Sequence, residues 1–242
     1  IVPGVPVIYD GNDKDAAEVI AAKAKELGSP AYKVIQAGAK VLGNNKDGID
    51  FSLEDDYYGD TRFHIPFIAW YQVMNASLAL TTMEVLKDRI PVTMEQLQAG
   101  IANTRWQGRM ETILPGVIVD GAHNEDGVRR FVETAERFQK EYPLTLLFSA
   151  VNDKDYQDMI HTICSRIKFR KVVTTEVGGY REVPSAELAE IFCKEGCKDV
   201  GNSDNIEEAF HMAHEAKGED GMLFCVGSLY LVGEIKTLLL KK

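Results

Sequence analysis

The sequence predicts an α/β protein in which a parallel sheet is flanked by helices on both faces. From residue 115 onward, five short apolar runs alternate with five stretches of helical periodicity. This alternation is typical of parallel strands joined by right-handed crossovers. Two of the runs, "LTLLFS" and "MLFCV", are almost wholly apolar, as expected for strands covered on both sides. The 242 residues are enough for one large or two modest domains.

The first part of the chain combines a strand–helix–strand unit with hairpins and two further helices. The polar stretch 38–60 predicts hairpins and loops. Thr93 and Gln96 have the capping-box spacing that begins a helix. Strands, the last of them at a sheet edge, are predicted over 5–10, 31–35 and 62–67. Helices are predicted over 13–28, 70–86 and 93–101.

The second part of the chain follows a stretch without clear periodicity, 103–111, which we interpret as a linker. Its apolar runs predict strands over 117–120, 144–149, 171–175, 198–200 and 222–226. The segments between and after them predict helices over 125–141, 155–167, 185–195, 205–217 and 229–240.

The charge of the chain excludes a broad class of function. Its formal net charge is −10, which argues against a general nucleic-acid binder because phosphate backbones require a basic face. The apolar runs are too short to span a bilayer, and the chain starts without a visible signal peptide. It begins at Ile1, directly in a predicted strand and without Met. We therefore expect a piece of a longer protein or a processed product.

The four cysteines, Cys164, Cys193, Cys197 and Cys225, form no CxxC pair. Their apolar or helical surroundings favour a reduced, cytoplasmic protein over a disulfide framework. Cys193 and Cys197 have the spacing that brings two thiols together across one helical turn. We interpret them as packing thiols, because no His or further Cys completes a metal-ligand set around them.

Polar residues follow four of the five predicted strands of the second part. The segment "DGAHN", Asp120–Asn124, comes first, and Asp153 with Lys154 follows the next strand. Arg181 lies beyond the third strand, and Ser228 follows the last. Ligands of an open parallel sheet bind outside the carboxyl ends of its strands. The sequence therefore predicts a site at this edge of the sheet.

The residues of "DGAHN" suit the binding of an anionic ligand. Asn124 is a good N-cap, and the helix start behind it can hold phosphate or carboxylate oxygens. Gly121 lets the backbone pass close to a ligand. Asp120 could accept from a ribose hydroxyl or an ammonium group, and His123 could donate to a phosphoryl oxygen. The alternatives stay open that Asp120 is only a turn residue and that His123 is structural. The sequence contains neither GxGxxG nor a P-loop motif.

Taken in order, the motifs resemble those of the folylpolyglutamate synthase and dihydrofolate synthase family, within the Mur ligase superfamily. They are "GVPVI", "QVMNA", "RWQGRME", "VIVDGAHN", "NDKD" and "VGSLYLVGE". The resemblance implies that residues 1–103 are the C-terminal part of an ATP-binding domain. It further implies a linker over 104–114 and a Rossmann-like ligase domain over 115–242. The family's P-loop, magnesium ligands and modified lysine would all lie upstream of Ile1, in a missing N-terminal half.

The same resemblance implies an ATP-dependent ligation of L-glutamate to folate through an acyl phosphate, with ATP and Mg²⁺ as cofactors. Some family members also convert dihydropteroate to dihydrofolate. Gln72 and Asn75 match positions near the adenine, Arg109 matches a linker arginine that reaches the ATP phosphates, and Asp120 matches a nucleotide contact. His123 matches a catalytic histidine near the transferred phosphate or the incoming glutamate, and Ser228 resembles a residue on the glutamate side. Asp153, Lys154 and Arg181 match recurring positions without an assigned role.

Two other interpretations remain open from the sequence alone. The chain could belong to a Mur-like amide ligase with a different acceptor, or it could be a non-catalytic ligand-binding module of the same fold. In the ligase interpretation, the expected partners are folate, L-glutamate, ATP and the missing N-terminal half of the same protein. Neither a nucleic acid nor a membrane is an expected partner.

Overall fold

The computed structural model describes residues 1–45, 47–179 and 182–240. The chain divides into two compact units, Ile1–Arg105 and Trp106–Lys242. In the described part of the chain, every helix is too short or too polar to cross a membrane.

The first unit contains a two-stranded parallel sheet and a three-stranded antiparallel sheet. The parallel strands are β1 (Val7–Asp10) and β2 (Ala31–Val34), joined by α1 (Lys14–Glu26). The antiparallel strands, in spatial order, are β3 (Ala39–Asn45), β4 (Gly48–Leu53) and β5 (Phe63–Ile65). β5 is thus an edge strand, as predicted. The remaining α-helices are α2 (Tyr71–Val85) and α3 (Met94–Ala102), and a 3-10 turn spans Gln36–Gly38.

The core of the first unit forms between the antiparallel sheet and α2. Phe51 and Phe63 are fully buried, and their ring centroids lie 5.7 Å apart. Buried Tyr58 satisfies its hydroxyl by donating to the carbonyl of Leu80 on α2, at 2.7 Å. At the start of α3, the predicted capping box of Thr93 and Gln96 is confirmed, with both reciprocal hydrogen bonds present.

The second unit is built on one six-stranded sheet, which confirms the predicted fold class. Its strand order is β10-β9-β8-β11-β7-β6. All neighbouring pairs are parallel except β6 and β7. The strands are β6 (Glu111–Leu114), β7 (Val117–Val119), β8 (Leu144–Phe148), β9 (Phe169–Thr174), β10 (Val200–Asn202) and β11 (Met222–Val226). The helices are α4 (Glu125–Phe138), α5 (Tyr156–Arg166), α6 (Ser185–Lys194), α7 (Ile206–Lys217) and α8 (Leu229–Leu240).

Strand β6 corrects the predicted linker. The stretch 103–111 and the linker range 104–114 were interpreted as irregular, but Glu111–Leu114 pair antiparallel with β7. The two strands are joined by Pro115 and Gly116, and Gly116 has φ +70°. Proline followed by a glycine with positive φ is typical of a type II turn. The pairing was missed because β6 is short and only partly buried.

Alternating side chains of the central strand β11 bind helices to both faces of the sheet. Leu223 and Cys225 lie in a core cluster with residues of α7 and α8. Phe224 points to the opposite face, where its ring centroid lies 5.5 Å from that of Phe131 on α4. Since all five residues of β11 are buried, the strand is covered on both sides, as its continuous apolar sequence predicts.

Phe224→Ala is expected to lower the free energy of unfolding by about 3–5 kcal/mol, because it leaves a cavity among aromatic rings at the centre of the sheet. Urea unfolding followed by circular dichroism measures this loss. Leu240→Ala is the matched control, since Leu240 is 86% exposed on α8 and its truncation is expected to change stability by less than about 0.5 kcal/mol. Equal losses for the two variants would contradict the prediction.

Candidate functional site

The loop after β7 is hydrogen-bonded on one side to β11 and on the other to the segment before β6. The Asp120 amide donates to the carbonyl of Cys225 at 2.9 Å, which continues the ladder between β7 and β11. The Gly121 amide donates to the carbonyl of Gly108 at 2.7 Å. A Cβ atom at Gly121 would overlap the side chain of Leu229 at the start of α8. A side chain at this position would therefore have to displace Leu229, which glycine avoids.

The carboxylate of Asp120 is buried inside this loop. Its exposed fraction is 3%. Oδ2 accepts from the Met110 amide and Oδ1 from the Ala122 amide, each at 2.8 Å. A buried carboxylate is costly unless it is hydrogen-bonded, so these two amides make its position tolerable. They also join the loop to the segment that precedes β6.

The surroundings of Asp120 favour the protonated form of its carboxyl group more than water favours it in a free aspartate. Burial raises the pKa of Asp120 to about 6. The amides of Met110 and Ala122, and then the charges of Arg109 and His123, act in the opposite direction without cancelling the effect of burial. The carboxylate is therefore charged above about pH 6 and neutral below it.

The segment before β6 has a constrained backbone. Met110 has φ +46° and is the one non-glycine residue of the described ranges with a positive φ. This conformation costs an L-residue roughly 1–2 kcal/mol. The Gly108 amide donates to Glu111 at 2.8 Å, and Glu111 pairs with Lys236 at 2.7 Å. These contacts hold the backbone on both sides of Arg109, whose side chain is partly exposed.

His123 follows Asp120 in the same loop and has a defined tautomer when neutral. Its Nδ1 atom lies 2.7 Å from the carbonyl oxygen of Gly121. Because a carbonyl can only accept, Nδ1 carries the hydrogen, and Nε2 is then the acceptor nitrogen of the neutral ring. The next residue, Asn124, caps α4 by accepting from the Gly127 amide at 2.8 Å, as predicted.

Ser228 lies at the end of the neighbouring strand. Since β11 pairs with β7 in parallel register, the loops after both strands leave the sheet at the same edge. Gly227 has φ +109°, and a Cβ atom there would overlap the carbonyl of Ser149. Ser228 is 2% exposed, and its hydroxyl accepts from the Tyr230 amide at 3.1 Å, at the start of α8.

A cavity of about 220 Å³ lies beside the starts of α4 and α5. Asp155 caps α5 by accepting from the Asp158 amide at 3.3 Å. Asp153 and Lys154, to which the sequence assigned no role, share this cavity with Asn124 and Glu125. The cavity therefore joins the ends of β7 and β8, which follow one another in the chain but are separated in the sheet by β11.

The remaining predicted residues are divided between the units. Gln72 and Asn75 lie together on α2 in the first unit, where the Asn75 amide donates to Gln72 at 2.8 Å. Gln72 is buried and Asn75 is exposed. In the second unit, Arg109, Asp120 and His123 are close neighbours, with Ser228 at the same sheet edge. Arg181 lies outside the described residues.

Sequence reasoning missed the backbone groups that organise this site. The Met110 amide and the Gly108 carbonyl hold the loop, yet neither backbone group depends on the side chain of its own residue. Gly108, with φ +66°, was the available signal. A glycine next to a charged residue outside any periodic segment is typical of a tight turn.

Comparisons with known proteins agree with this architecture. The model of the family "Mur ligase, glutamate ligase domain" matches residues 108–229. The chain therefore belongs to the Mur ligase family through its glutamate ligase domain.

The predicted resemblance to folylpolyglutamate and dihydrofolate synthases is confirmed. The dihydrofolate synthase/folylpolyglutamate synthase of Bacillus subtilis is 28% identical over 249 residues, covering 98% of this chain and 55% of the relative. The crystal structure of folylpolyglutamate synthase from Thermotoga maritima shares the fold, with a TM-score of 0.79 and 24% identity over 99% of this chain and 55% of that one. Mycobacterium tuberculosis folylpolyglutamate synthase, complexed with ADP and AMPPCP, gives a TM-score of 0.74 at 23% identity, over 96% and 55% of the two chains. The chain thus spans little more than half the length of these relatives.

Asp120→Asn is expected to change how stability depends on pH. The folded-state pKa of Asp120 is about 6 against an ordinary value of 3.8, so its protonated form favours folding at low pH. That contribution is complete below about pH 4 and is lost as pH rises through 6. Relative to Asp120→Asn, which does not titrate, the native chain should lose about 3 kcal/mol between these pH values.

Urea unfolding of both proteins across this pH window gives the difference directly. Groups that titrate alike in the two proteins cancel. A constant difference from pH 4 to pH 7 would mean that Asp120 titrates normally and that its burial is not maintained in solution.

Proposed function

We propose that this chain is part of an ATP-dependent ligase that adds L-glutamate to folate through an acyl phosphate. The observation that carries the proposal is the joint packing of the Arg109 segment and the Asp120–Asn124 loop, within a glutamate ligase domain. Relatives that match 98% of this chain are named dihydrofolate synthase/folylpolyglutamate synthase and folylpolyglutamate synthase. The conversion of dihydropteroate to dihydrofolate is included in the proposal as a second reaction of the same site.

The proposed reaction requires positive charge and donors at a fixed place. ATP phosphorylates a folate carboxylate, the amine of L-glutamate attacks the acyl phosphate, and inorganic phosphate leaves. Three anionic groups must therefore be held together while charge moves onto the leaving phosphate. Donors that are positioned before the reaction supply most of the stabilisation that such a step needs.

Arg109 is the residue best suited to the ATP phosphates in this part of the chain. Its guanidinium presents a rigid fork of donors that matches phosphate oxygens. The contacts at Gly108, Met110 and Glu111 hold its backbone on both sides. Less conformational entropy is then lost when the side chain meets a phosphate.

Asp120 and His123 support the same site in different ways. Asp120 is proposed as the nucleotide contact. Because it is 3% exposed, it acts mainly through the Arg109 segment, which it positions by accepting from the Met110 amide. His123 is proposed as the catalytic residue near the transferred phosphate or the incoming glutamate, with Nε2 as the acting nitrogen. Ser228 is proposed on the glutamate side, since its loop leaves the sheet at the same edge.

Gln72 and Asn75 are proposed as adenine contacts because they match those positions in the family resemblance. Their side-chain amides pair with each other, with Asn75 donating to Gln72. Mg²⁺ would bring charge neutralisation to the phosphates, and its ligands are proposed to lie outside this chain. We place the enzyme in the cytoplasm, with the N-terminal half of the same protein as its necessary partner.

The purified 242-residue chain is expected to show no ATP-dependent glutamylation of folate, because it contains no P-loop motif. Incubation with ATP, Mg²⁺, radiolabelled L-glutamate and a folate acceptor measures this. The full-length protein, assayed in parallel, is the positive control. Turnover by the isolated chain would show that the phosphate-binding machinery is complete within it.

Arg109→Ala in the full-length protein is expected to lower kcat/KM for ATP roughly 10- to 100-fold, because a charge-assisted contact contributes about 1.5–3 kcal/mol. Arg105→Ala is the matched control, since this exposed arginine of the first unit donates to the carbonyls of Ala102 and Thr104. A loss within twofold for Arg109→Ala would exclude its phosphate role.

A screen of acceptors with the unmodified full-length protein separates folate from a Mur-like peptide substrate.

A further inference from the structure

Two cysteines of the second unit lie side by side, although they are far apart in sequence. The Sγ atoms of Cys164 and Cys197 are 3.6 Å apart. Cys164 is on the last turn of α5, and Cys197 follows α6. Both are partly buried. This pairing corrects the interpretation of Cys193 and Cys197 as neighbours across a helical turn, because α6 ends at Lys194.

The end of α6 fixes the backbone of Cys197. Gly196 has φ +94°, and its amide donates to the carbonyl of Cys193 at 3.0 Å. The Cys197 amide donates to the carbonyl of Phe192 at 3.1 Å. This pair of hydrogen bonds around a left-handed glycine is the Schellman motif. Cys197 therefore does not depend on a mobile loop for its position.

Further side-chain contacts hold α5 against α6. His161 Nδ1 lies 2.9 Å from a carboxylate oxygen of Glu195, and Tyr156 donates to Glu187 at 2.7 Å. His161 precedes Cys164 by three residues, so both lie on the same face of α5. The thiol pair thus belongs to a contact that runs along the length of both helices.

The two thiols differ in chemistry. The hydrogen bond from Cys164 lowers the pKa of Cys197, although burial and the Glu195 carboxylate act against it. That hydrogen bond, and then burial, raise the pKa of Cys164. Cys225 is fully buried in the sheet, and its pKa is raised by burial alone. Because the thiolate is the reactive form, Cys197 is the better nucleophile of the pair.

We propose that Cys164 and Cys197 form a redox-active dithiol, which a hydroperoxide oxidises to an intramolecular disulfide. The Cys197 thiolate attacks the hydroperoxide, the O–O bond breaks, and after protonation of the leaving oxygen the products are a sulfenic acid and water or an alcohol. The Cys164 sulfur then attacks the Cys197 sulfur, its own proton leaves with the hydroxyl as water, and the S–S bond forms. The sulfur atoms must approach by roughly 1.5 Å to reach bonding distance.

This dithiol lies away from the proposed ligase residues. Cys164 and Cys197 lie where α5 and α6 end, shortly before β9 and β10 begin, so they are at the edge of the sheet where the parallel strands start. The proposed residues Asp120, His123 and Ser228 follow the carboxyl ends of β7 and β11, at the opposite edge. The dithiol proposal can therefore be confirmed or contradicted independently of the ligase assignment.

The test is oxidation of the purified, fully reduced chain with one equivalent of hydrogen peroxide. The remaining thiols are blocked with N-ethylmaleimide, and the protein is digested and mapped by mass spectrometry. The expected result is a cross-linked peptide pair that contains Cys164 and Cys197, lighter by two hydrogen atoms, with Cys193 alkylated. Dithiothreitol should restore both thiols, and the oxidised protein should melt at a higher temperature.

Variants assign the roles within the pair. Cys193→Ser, at the exposed cysteine, is the matched control and should leave the cross-link unchanged, whereas Cys164→Ser should abolish it and leave a sulfenic acid on Cys197 that dimedone traps. A Cys193–Cys197 cross-link would overturn the proposal. So would persistence of both Cys164 and Cys197 as free thiols while Cys193 becomes oxidised. Both outcomes are measured on the protein without substitutions, so they do not depend on whether a variant folds.

Discussion

The site in the second unit depends on one buried carboxylate placed between two backbone amides. Asp120 accepts from Met110 on one side and from Ala122 on the other. Without these donors its burial would be too costly, and without the carboxylate the Met110 amide would lose its partner in the interior. Because Met110 holds an unfavourable positive φ, the turn that carries Arg109 needs such a partner. The negative charge in the loop thus determines where the positive charge of the preceding segment lies.

The sheet makes this arrangement possible by bringing two loops to one edge. β7 and β11 are parallel neighbours in register, so the chain leaves both strands at adjacent points. At each exit a glycine allows the backbone to pass where a side chain would collide, with Leu229 at Gly121 and with the Ser149 carbonyl at Gly227. Backbone proximity, more than any single side chain, brings Asp120 and Ser228 to the same place.

Much of the fold could be predicted because it depends on local patterns. Buried strands such as β8 are continuous apolar runs, and the caps of α3 and α4 use side chains within three residues of the amides they bind. β6 could not be predicted with equal ease, since its four residues gain their structure by pairing with β7. The burial of Asp120 depends on an amide ten residues away in sequence, and the partner of Cys197 is thirty-three residues away. Such contacts follow from topology, which periodicity does not specify. Residue chemistry therefore predicts a candidate site but not the contacts that hold its residues in place.

The source of positive charge in the site also differs from a simple helix-start model. The start of α4 was expected to offer backbone donors to an anion, but Asn124 already accepts from one of them, and Glu125 and Asp126 occupy the first turn. These acidic side chains stabilise the start of the helix and repel an anionic ligand. At the start of α8, Ser228 likewise accepts from a backbone amide. A phosphate at this edge must therefore rely on a cationic side chain. Arg109 is the residue that we propose for this role, and the loop carboxylate fixes the next residue, Met110, through its amide.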